Sequence, residues 1–201
     1  MQMLSAFTAL DFETTGAVPG YAVEPWQIGV AVWRDGAWQL WESLLKIGPR
    51  PFHPRAPGRH AALRKTLEIS PALPELLPEI RGRLLGQPLV AHNVATERNC
   101  LKAAVPMEKF GPWIDTLKLS RAVWPALPSY ALGDLMDRFD LRAEALRGCP
   151  DREEHDALFD ALGAGLLLQH ILRQPGWDRA GMEVLLHPDQ RAWQARRRSA
   201  G

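Results

Sequence analysis

The stretch Leu10-Asp11-Phe12-Glu13-Thr14-Thr15-Gly16 ends the first apolar run of the chain, and the rest of the sequence is best interpreted outward from it. Residues 4–12 combine apolar, aromatic and β-branched side chains, which predicts a buried strand that ends at Thr-Thr-Gly. Asp11 and Glu13 are two apart, so their side chains leave the same face of that strand. Two such carboxylates raise each other's pKa unless a cation lies between them, and Mg²⁺ is a cation that carboxylates bind. The alternative is an edge strand whose acidic residues face water.

The segments after this stretch predict an α/β fold with one sheet. Asp35-Gly36 lies between two apolar, tryptophan-bearing runs, 27–34 and 38–46, and predicts a hairpin. Short strands are expected at 88–91 and 113–116, and helices at about 70–85, 94–104, 117–123, 130–139 and 153–173. Strands followed by alternating strands and helices give a sheet with helices packed on it.

Residues 48–65 differ from their surroundings because they are rich in proline and arginine. Four prolines disfavour regular structure there, and five basic residues occur without an acidic one: Arg50, Arg55, Arg59, Arg64 and Lys65. One interpretation is a solvated loop. The other is a mobile basic flap that captures phosphates.

Glu97 lies in the motif Ala-His-Asn-Val-Ala-Thr-Glu, residues 91–97, which follows the predicted strand 88–91. Asn93 is a good helix N-cap residue, and Glu97 would lie one turn into the helix, where its side chain can point back toward the strand end. Taken alone, Glu97 is interpreted as a surface charge paired with Arg98 or Arg121.

His155 and Asp160 lie near the start of the last predicted core helix. A neutral imidazole at this place could accept a proton from water, as a general base does. Asp156 and Asp160 share one helical face, so periodicity alone leaves open which of them is the ligand. Tyr130 and Asp134 are four residues apart, a spacing that would also suit a pair of active-site residues. We interpret them instead as part of the ordinary amphipathic pattern of their helix.

Composition limits the class of protein without choosing a function. The chain has 201 residues, a formal net charge of +1 and two cysteines, so it fits one domain and gives no support to non-specific nucleic-acid binding or to a disulfide framework. It has neither a signal peptide pattern nor an apolar run of about 20 residues, from which we expect a cytoplasmic protein that does not enter a membrane.

The acidic motifs, in their order and spacing, resemble the DEDDh 3′–5′ exonucleases, a group that includes the proofreading subunit of DNA polymerase III and ribonuclease T. The resemblance runs from about Phe7 to Leu168, and Trp26-Gln27-Ile28-Gly29 and Ile114-Asp115-Thr116-Leu117 add to it. It implies a ribonuclease H-like fold, a five-stranded mixed α/β sheet with the first strand central. We expect residues 1–174 to form the exonuclease domain and residues 175–201 a helical extension, packed on that domain or trailing from it.

The resemblance also implies roles for individual residues. Asp11, Glu13, Glu97 and Asp160 would hold two divalent metal ions, Mg²⁺ or Mn²⁺, and His155 would be the general base. It is the family pattern that selects Asp160 over Asp156. Substrate binding would fall to four residues, Thr14, Thr15, Gly16 and Asn93. The family has Asp where this chain has Glu97, and we expect activity to survive that difference.

The implied function is a metal-dependent exonuclease that releases nucleoside 5′-monophosphates from the 3′ ends of single-stranded DNA or RNA, with DNA favoured. That would suit proofreading or DNA repair. The alternatives are a catalytically silent scaffold with the same fold and a binding module associated with a polymerase. A polymerase or a second copy of the chain is a possible partner, and the tail with Trp193 and Arg196, Arg197 and Arg198 is a candidate docking segment.

Overall fold

The computed structural model describes residues 4–189 and residue 198 of the chain. Its strands, in chain order, are β1 (Phe7–Thr14), β2 (Pro25–Arg34), β3 (Ala37–Leu44), β4 (Leu89–Ala91) and β5 (Trp113–Asp115). They form one sheet in the order β3-β2-β1-β4-β5, with β1, β2 and β3 antiparallel and β4 and β5 parallel to β1. The expected five-stranded mixed sheet with the first strand central is therefore confirmed.

The predicted hairpin is present between β2 and β3. Asp35 and Gly36 form its turn with φ values of 52° and 78°, the two successive positive angles that a tight turn between right-twisted strands requires.

Eight α-helices lie within residues 4–189. They are α1 (His60–Ile69), α2 (Leu77–Leu84), α3 (Ala95–Ala104), α4 (Thr116–Val123), α5 (Leu132–Arg138), α6 (Arg142–Gly148), α7 (Ala157–Leu172) and α8 (Met182–Leu186). A short 3₁₀ turn, Leu73–Leu76, precedes α2, where two prolines shorten the helix expected at 70–85.

The two faces of β1 enter two separate cores. Phe7 and Ala9 pack on the side of α7, whereas Leu10 and Phe12 pack on the side of α2 and α3. Helix α7 is almost wholly enclosed, with 13 of its 16 residues buried. The sheet thus has helices on both faces. The odd-numbered core residues of β1 lie on the face that α7 covers.

Several predicted element boundaries were wrong. Helix α1 begins at His60, inside the stretch predicted as irregular, because the last proline of that stretch is Pro57. Helix α6 was not predicted at all. Helix α5 begins at Leu132, two residues later than expected, and the Ser129 hydroxyl ahead of it accepts a hydrogen bond from the Ala131 N–H (3.2 Å).

Helices α3 and α7 also begin later than expected. Asn93 has a φ of 73° and lies outside α3, whose N-cap is Val94. Helix α7 begins at Ala157 rather than 153, because Asp156 caps it through its side chain and His155 has a φ of 65°. His155 is therefore a loop residue just before the helix.

Of the extension at 175–201, the described part contains only the short α8. Trp177 and Leu185 are buried against the α7 side of the core. Trp193, Arg196 and Arg197 lie outside the described residues, so a helix there and a docking role stay predictions, as does the domain boundary at residue 174. None of the described helices is long and apolar enough to span a membrane.

Candidate active site

The carboxyl ends of three parallel strands meet at one edge of the sheet, where acidic residues collect. Strand β1 contributes Asp11 and Glu13, β4 ends one residue before His92, and β5 ends at Asp115. Ligands of open α/β sheets commonly bind outside the carboxyl ends of the strands. Asp11 and Glu13 continue the odd-numbered face of β1, so they point to the side occupied by α7.

Gly29 allows the start of α7 to approach the sheet at this edge. It lies opposite Asp11 in the β1–β2 register, and a Cβ atom on it would lie 2.2 Å from the carbonyl oxygen of Ala157. Gln27, opposite Glu13, accepts a hydrogen bond from the Ala157 N–H through its Oε1 (3.3 Å). The motif at 26–29 thus fixes where α7 begins relative to the two acidic residues of β1.

Glu13, His155 and Asp160 come together at this junction. One candidate ligand atom from each lies within 4.8 Å of the others, which suits a metal ion. Asp160 Oδ2 also accepts a hydrogen bond from the His155 N–H (3.0 Å), so the helix carboxylate fixes the backbone of the loop residue. The structure thus brings together three of the predicted site residues, while Asp11 is outside this group and their roles stay predictions.

Burial and mutual repulsion raise the pKa values of the acidic residues on the α7 side. Burial is the main cause for Asp11, whose pKa lies well above its usual range, and the charge of Glu97 is the next. Burial, followed by the charge of Asp160, raises the pKa of Glu13 to about 7. Burial also raises the pKa of Asp160 to about 7, although the His155 N–H opposes the shift.

Glu97 is buried, with 3% of its surface exposed, so its interpretation as a surface charge paired with Arg98 or Arg121 was wrong. Its Oε2 atom has no hydrogen-bond partner among the described residues. Burial raises its pKa to about 8, and the charges of Asp115 and Glu13 add to the shift. An unsatisfied buried carboxylate oxygen is costly unless a cation or a donor reaches it.

We call Asp11, Glu13, Glu97 and Asp160 the carboxylate cluster. None of the four forms an ion pair with a lysine, arginine or histidine within residues 4–189. A set of neighbouring carboxylates without a protein cation is the donor set that hard divalent cations bind.

Asp156 has surroundings opposite to those of Asp160. Its Oδ1 accepts from the N–H groups of Leu158 and Phe159 at 3.1 and 3.4 Å and so caps α7. Its Oδ2 accepts from Arg152 (2.6 Å) and Gln27 (3.3 Å). Both oxygens of Asp156 have partners in the fold, whereas the side-chain hydrogen bond of Asp160 comes from the His155 N–H.

Arg152 is the residue of this region that sequence reasoning missed. It bonds Asp156 on one side and both carboxylate oxygens of Glu42 on the other, at 2.5 and 2.9 Å, while Gln27 bonds Glu42 at 3.1 Å. We call Gln27, Glu42, Arg152 and Asp156 the Arg152 network. The i,i+4 spacing of Arg152 and Asp156 is a local signal, but Glu42 lies 110 residues away and has none.

The motif residues on β4 and β5 have mainly structural partners. His92 Nδ1 lies 3.0 Å from Thr116 Oγ1, and His92 Nε2 lies 2.8 Å from the carbonyl oxygen of Tyr130. Asp115 caps α4 and accepts a hydrogen bond from the Asn93 N–H (3.2 Å). The Tyr130 hydroxyl donates to the Trp124 carbonyl (2.5 Å), which supports the interpretation of Tyr130 as a structural residue.

The four expected substrate-binding residues lie around the end of β1 and the start of α3. Thr14 Oγ1 accepts a weak hydrogen bond from the Gly16 N–H (3.4 Å), and the buried Thr15 accepts one from the Glu24 N–H (3.1 Å). Asn93 is exposed. Their role toward a substrate stays a prediction.

Two clefts are lined by neighbours in sequence of the carboxylate cluster or by His155. One, of about 480 Å³, is lined by His155, Arg59, Arg142 and Glu154 among others. The other, of about 550 Å³, is mostly apolar and runs between residues 22–25 and α3, with Val23, Leu73, Thr96 and Cys100 in its walls. Thr96 in its wall directly precedes Glu97 in the sequence.

Sequence comparison finds two kinds of curated relative, and no model of a known protein family matches the chain. Exodeoxyribonuclease 10 of Escherichia coli (strain K12) is 29% identical over 168 residues, which cover 84% of this chain and 69% of that protein. DNA polymerase III PolC-type of Thermotoga petrophila is 30% identical over 144 residues, covering 68% of this chain but only 10% of the polymerase.

Comparison with solved structures finds the same fold in a eukaryotic protein. The S. pombe Pop2p structure, in its Mg²⁺- and Mn²⁺-bound form, superposes with a TM-score of 0.64 and covers 92% of this chain and 89% of its own. The two sequences are 15% identical, so the likeness concerns the fold.

Proposed function

We propose that this chain, which belongs to the DEDD family of 3′–5′ exonucleases, removes nucleoside 5′-monophosphates from the 3′ ends of single-stranded nucleic acid with the help of divalent metal ions. Its fold is ribonuclease H-like. The observation that carries the proposal is the carboxylate cluster beside His155. Glu13 and Glu97 are buried, and within residues 4–189 no lysine, arginine or histidine forms an ion pair with the cluster.

The residues of the cluster fit divalent metal ions. Glu97 Oε2 is buried without a partner, and three carboxyl pKa values are raised to about 7 or 8 by burial and by one another. We expect Asp11, Glu13 and Asp160 to hold one ion, and Asp11 with Glu97 to hold the second. When bound, such ions neutralise the carboxylates and stabilise the charge that develops on the oxygens of the reacting phosphodiester.

His155 is the proposed general base. Its side chain is exposed and faces the cleft beside the cluster, so a water molecule and a phosphodiester can approach it. The hydrogen bond from its N–H to Asp160, together with the cap at Asp156, holds its backbone in the left-handed conformation. In this proposal a ring nitrogen accepts the proton of the attacking water, which is the step a general base performs.

The terminal nucleotide would bind at the end of β1. In this proposal Thr14, Thr15 and Gly16 contact the nucleotide from one side and Asn93 from the other. We expect DNA to be preferred to RNA, because the relative that aligns over most of its own length is an exodeoxyribonuclease.

Association with a polymerase is a second proposal. It is favoured by the similarity between this chain and one segment of a PolC-type DNA polymerase III. That segment makes up about a tenth of the polymerase polypeptide. Co-purification with, or stimulation by, a replicative polymerase would support it.

The deciding experiment for the proposed function uses 5′-labelled single-stranded DNA and RNA of one sequence with Mg²⁺ or Mn²⁺. We expect a ladder that shortens from the 3′ end, faster on DNA, and absent from the Asp11→Asn variant. Asp137→Asn, which changes an exposed carboxylate bonded to Arg142, is the matched control and should keep full activity. If the wild-type chain shortens neither strand, the silent scaffold is the better description.

A further inference from the structure

We propose that Arg50 binds a phosphodiester of the substrate strand, outside the carboxylate cluster and upstream of the scissile linkage. The inference rests on the proposed function and assigns to one residue of the basic stretch 48–65 a specific contact with the substrate strand. The ligand it requires is a singly charged phosphodiester in a chain, rather than the phosphate of the released product.

The guanidinium of Arg50 is buried without an acceptor. Only 4% of the residue is exposed, and neither Nη atom has a hydrogen-bond partner within the described part of the chain. No carboxylate of residues 4–189 lies within 4.0 Å of it, and its Nε has a single long contact of 3.5 Å to the Pro51 carbonyl. A buried charge without a partner is costly, and arginine matches phosphate oxygens with two parallel N–H groups.

The backbone around Arg50, in contrast, is well fixed. Arg64 Nη2 donates to the Arg50 carbonyl (2.9 Å), and the Arg50 N–H donates to the Gly48 carbonyl (2.8 Å). The nearby acidic residue, Glu24, accepts from the Gly48 N–H (3.0 Å). The loop therefore holds the position of Arg50 with other groups and leaves its guanidinium unused.

The loop that carries Arg50, residues 48–59, runs along the rim of the proposed site. Near its middle, the His53 N–H donates to the Thr15 carbonyl (2.8 Å), next to the expected position of the terminal nucleotide. Near its end, Gly58 (φ +86°) packs so closely on His155 that a Cβ atom would lie 2.9 Å from the His155 carbonyl oxygen. A strand whose end lies between Thr15 and His155 must leave the site past this loop or the surface opposite it.

The chemistry of the rim favours the loop side. Residues 48–65 contain five basic residues and no acidic one, on a chain whose net charge is only +1, so the positive charge is concentrated there. The ring of Tyr21 lies 5.5 Å from the Arg50 guanidinium and is half-exposed, so it both covers the cation and offers a face on which a base can stack. A cation next to an exposed aromatic ring is the arrangement that single strands bind.

A structural role is the competing explanation, in which Arg50 moves to pair with Glu24 and only stabilises the loop. The two explanations differ in what a neutral Arg50→Gln change does to substrates of different length. A nitrophenyl ester of thymidine 5′-monophosphate offers a scissile bond but no upstream phosphodiester, so it probes the reacting centre alone. An oligonucleotide probes both.

The test compares Arg50→Gln with wild type on both substrates, and Arg147→Gln, an exposed arginine on α6, is the control. We expect Arg50→Gln to raise KM for the oligonucleotide about tenfold or more, as for loss of a charged hydrogen bond. The dependence of log KM on log salt should become shallower by about 0.7, the value for one phosphate of a single strand. Hydrolysis of the nitrophenyl ester and the Ki of thymidine 5′-monophosphate should not change.

A scan with single methylphosphonates, each removing one backbone charge at a non-scissile linkage, locates the contact. In wild type one linkage should matter most, and in Arg50→Gln that linkage should have no further effect. Additive effects at every linkage, equal losses on the ester and the oligonucleotide, or a raised Ki for the monophosphate would each overturn the proposal.

The same oligonucleotides measured by fluorescence anisotropy keep this test separate from the proposed function. If wild type hydrolyses neither substrate, the exonuclease proposal fails. The binding proposal is then decided by Kd alone: a methylphosphonate at one linkage should raise the Kd of wild type but not that of Arg50→Gln. A Glu24→Gln variant that reproduces the Arg50→Gln effects would identify the structural pair instead.

Discussion

Two aspartates at the start of α7, four residues apart, have opposite surroundings. Asp156 belongs to the Arg152 network, where each carboxylate is bonded by arginine, amide or backbone N–H groups. Asp160 belongs to the carboxylate cluster, where burial raises the pKa to about 7 and its hydrogen bond comes from the backbone of His155. The same element thus has one acid that is neutralised by an arginine and one that has no ion pair within residues 4–189.

The difference shows how the molecule separates stability from chemistry. The Arg152 network joins β2, β3 and the loop before α7, so it fixes the position at which α7 starts. The carboxylate cluster, placed by that junction, contains charges that the fold leaves unneutralised. Perturbed titration in a cleft of this kind is typical of functional sites.

Asp160→Asn should give the largest effect and test the comparison most severely. It removes a charge that no protein cation needs, so we expect turnover to be abolished while the melting temperature of the metal-free protein is unchanged or higher. Asp156→Asn is the paired control. Asparagine still caps a helix, so this variant should retain activity but melt at a lower temperature. Exonuclease assays and thermal melts of the two variants check the contrast, which a fully active Asp160→Asn would remove.

His155→Ala should lower the rate by about 10²–10⁴, the usual range for a positioned acid or base. His187→Ala, an exposed histidine after α8, is the control and should have wild-type rates. Rates measured under single-turnover conditions are required, so that product release does not mask the chemical step. A loss below about tenfold would mean that another group accepts the proton.

Arg152→Ala should affect stability more than chemistry. It leaves Glu42 and Asp156 without their shared cation, and we expect the free energy of unfolding to fall by about 1–3 kcal/mol, as for loss of charged hydrogen bonds. Arg81→Ala breaks an exposed pair with Glu108 and should cost less than about 1 kcal/mol. Urea denaturation of both variants tests the difference. Equal losses in the free energy of unfolding would show that the Arg152 network stabilises the fold no more than an exposed ion pair does.

Glu97→Asp should have the smallest effect, because the charge is kept and the side chain is one methylene shorter. We expect activity to be retained or raised, whereas Glu97→Gln should lower it by removing the charge. Steady-state rates with Mg²⁺ and with Mn²⁺ measure both variants. A collapse in Glu97→Asp would mean that the site is built around the longer side chain.

Local patterns predicted the parts of the site that depend on neighbours in sequence. The i,i+2 spacing placed Asp11 and Glu13 on one face of β1, and the apolar run made that strand central. The burial of Glu97 was also within reach, because it shares a helix face with the buried Leu101. The surface interpretation failed because it considered the charge of the residue rather than the face on which it lies.

The remaining parts depend on contacts between distant segments. Asp156 and Asp160 could not be separated by periodicity. Gln27, which donates to Asp156, and Glu42, which is bonded by the same Arg152, come from strands more than 100 residues earlier. The left-handed conformation of His155 likewise follows from its packing against Asp160 and Gly58, and its sequence offered only a histidine near a helix.

The most direct test of the account is the stability of the protein against pH, with a chelator and with saturating Mn²⁺. The folded pKa values of Glu13, Asp160 and Glu97, about 7, 7 and 8, lie above the ordinary values of 4.5, 3.8 and 4.5. Between about pH 4 and 8 the folded state therefore binds more protons than the unfolded state, and stability falls as the pH rises.

We predict that the chelated protein loses stability progressively from about pH 5 to pH 8, and that Mn²⁺ restores it. The difference between the two curves should widen with pH and shrink in Asp160→Asn. A stability difference that is absent, or that does not change with pH, would contradict the claim that the carboxylate cluster is left unneutralised for metal ions.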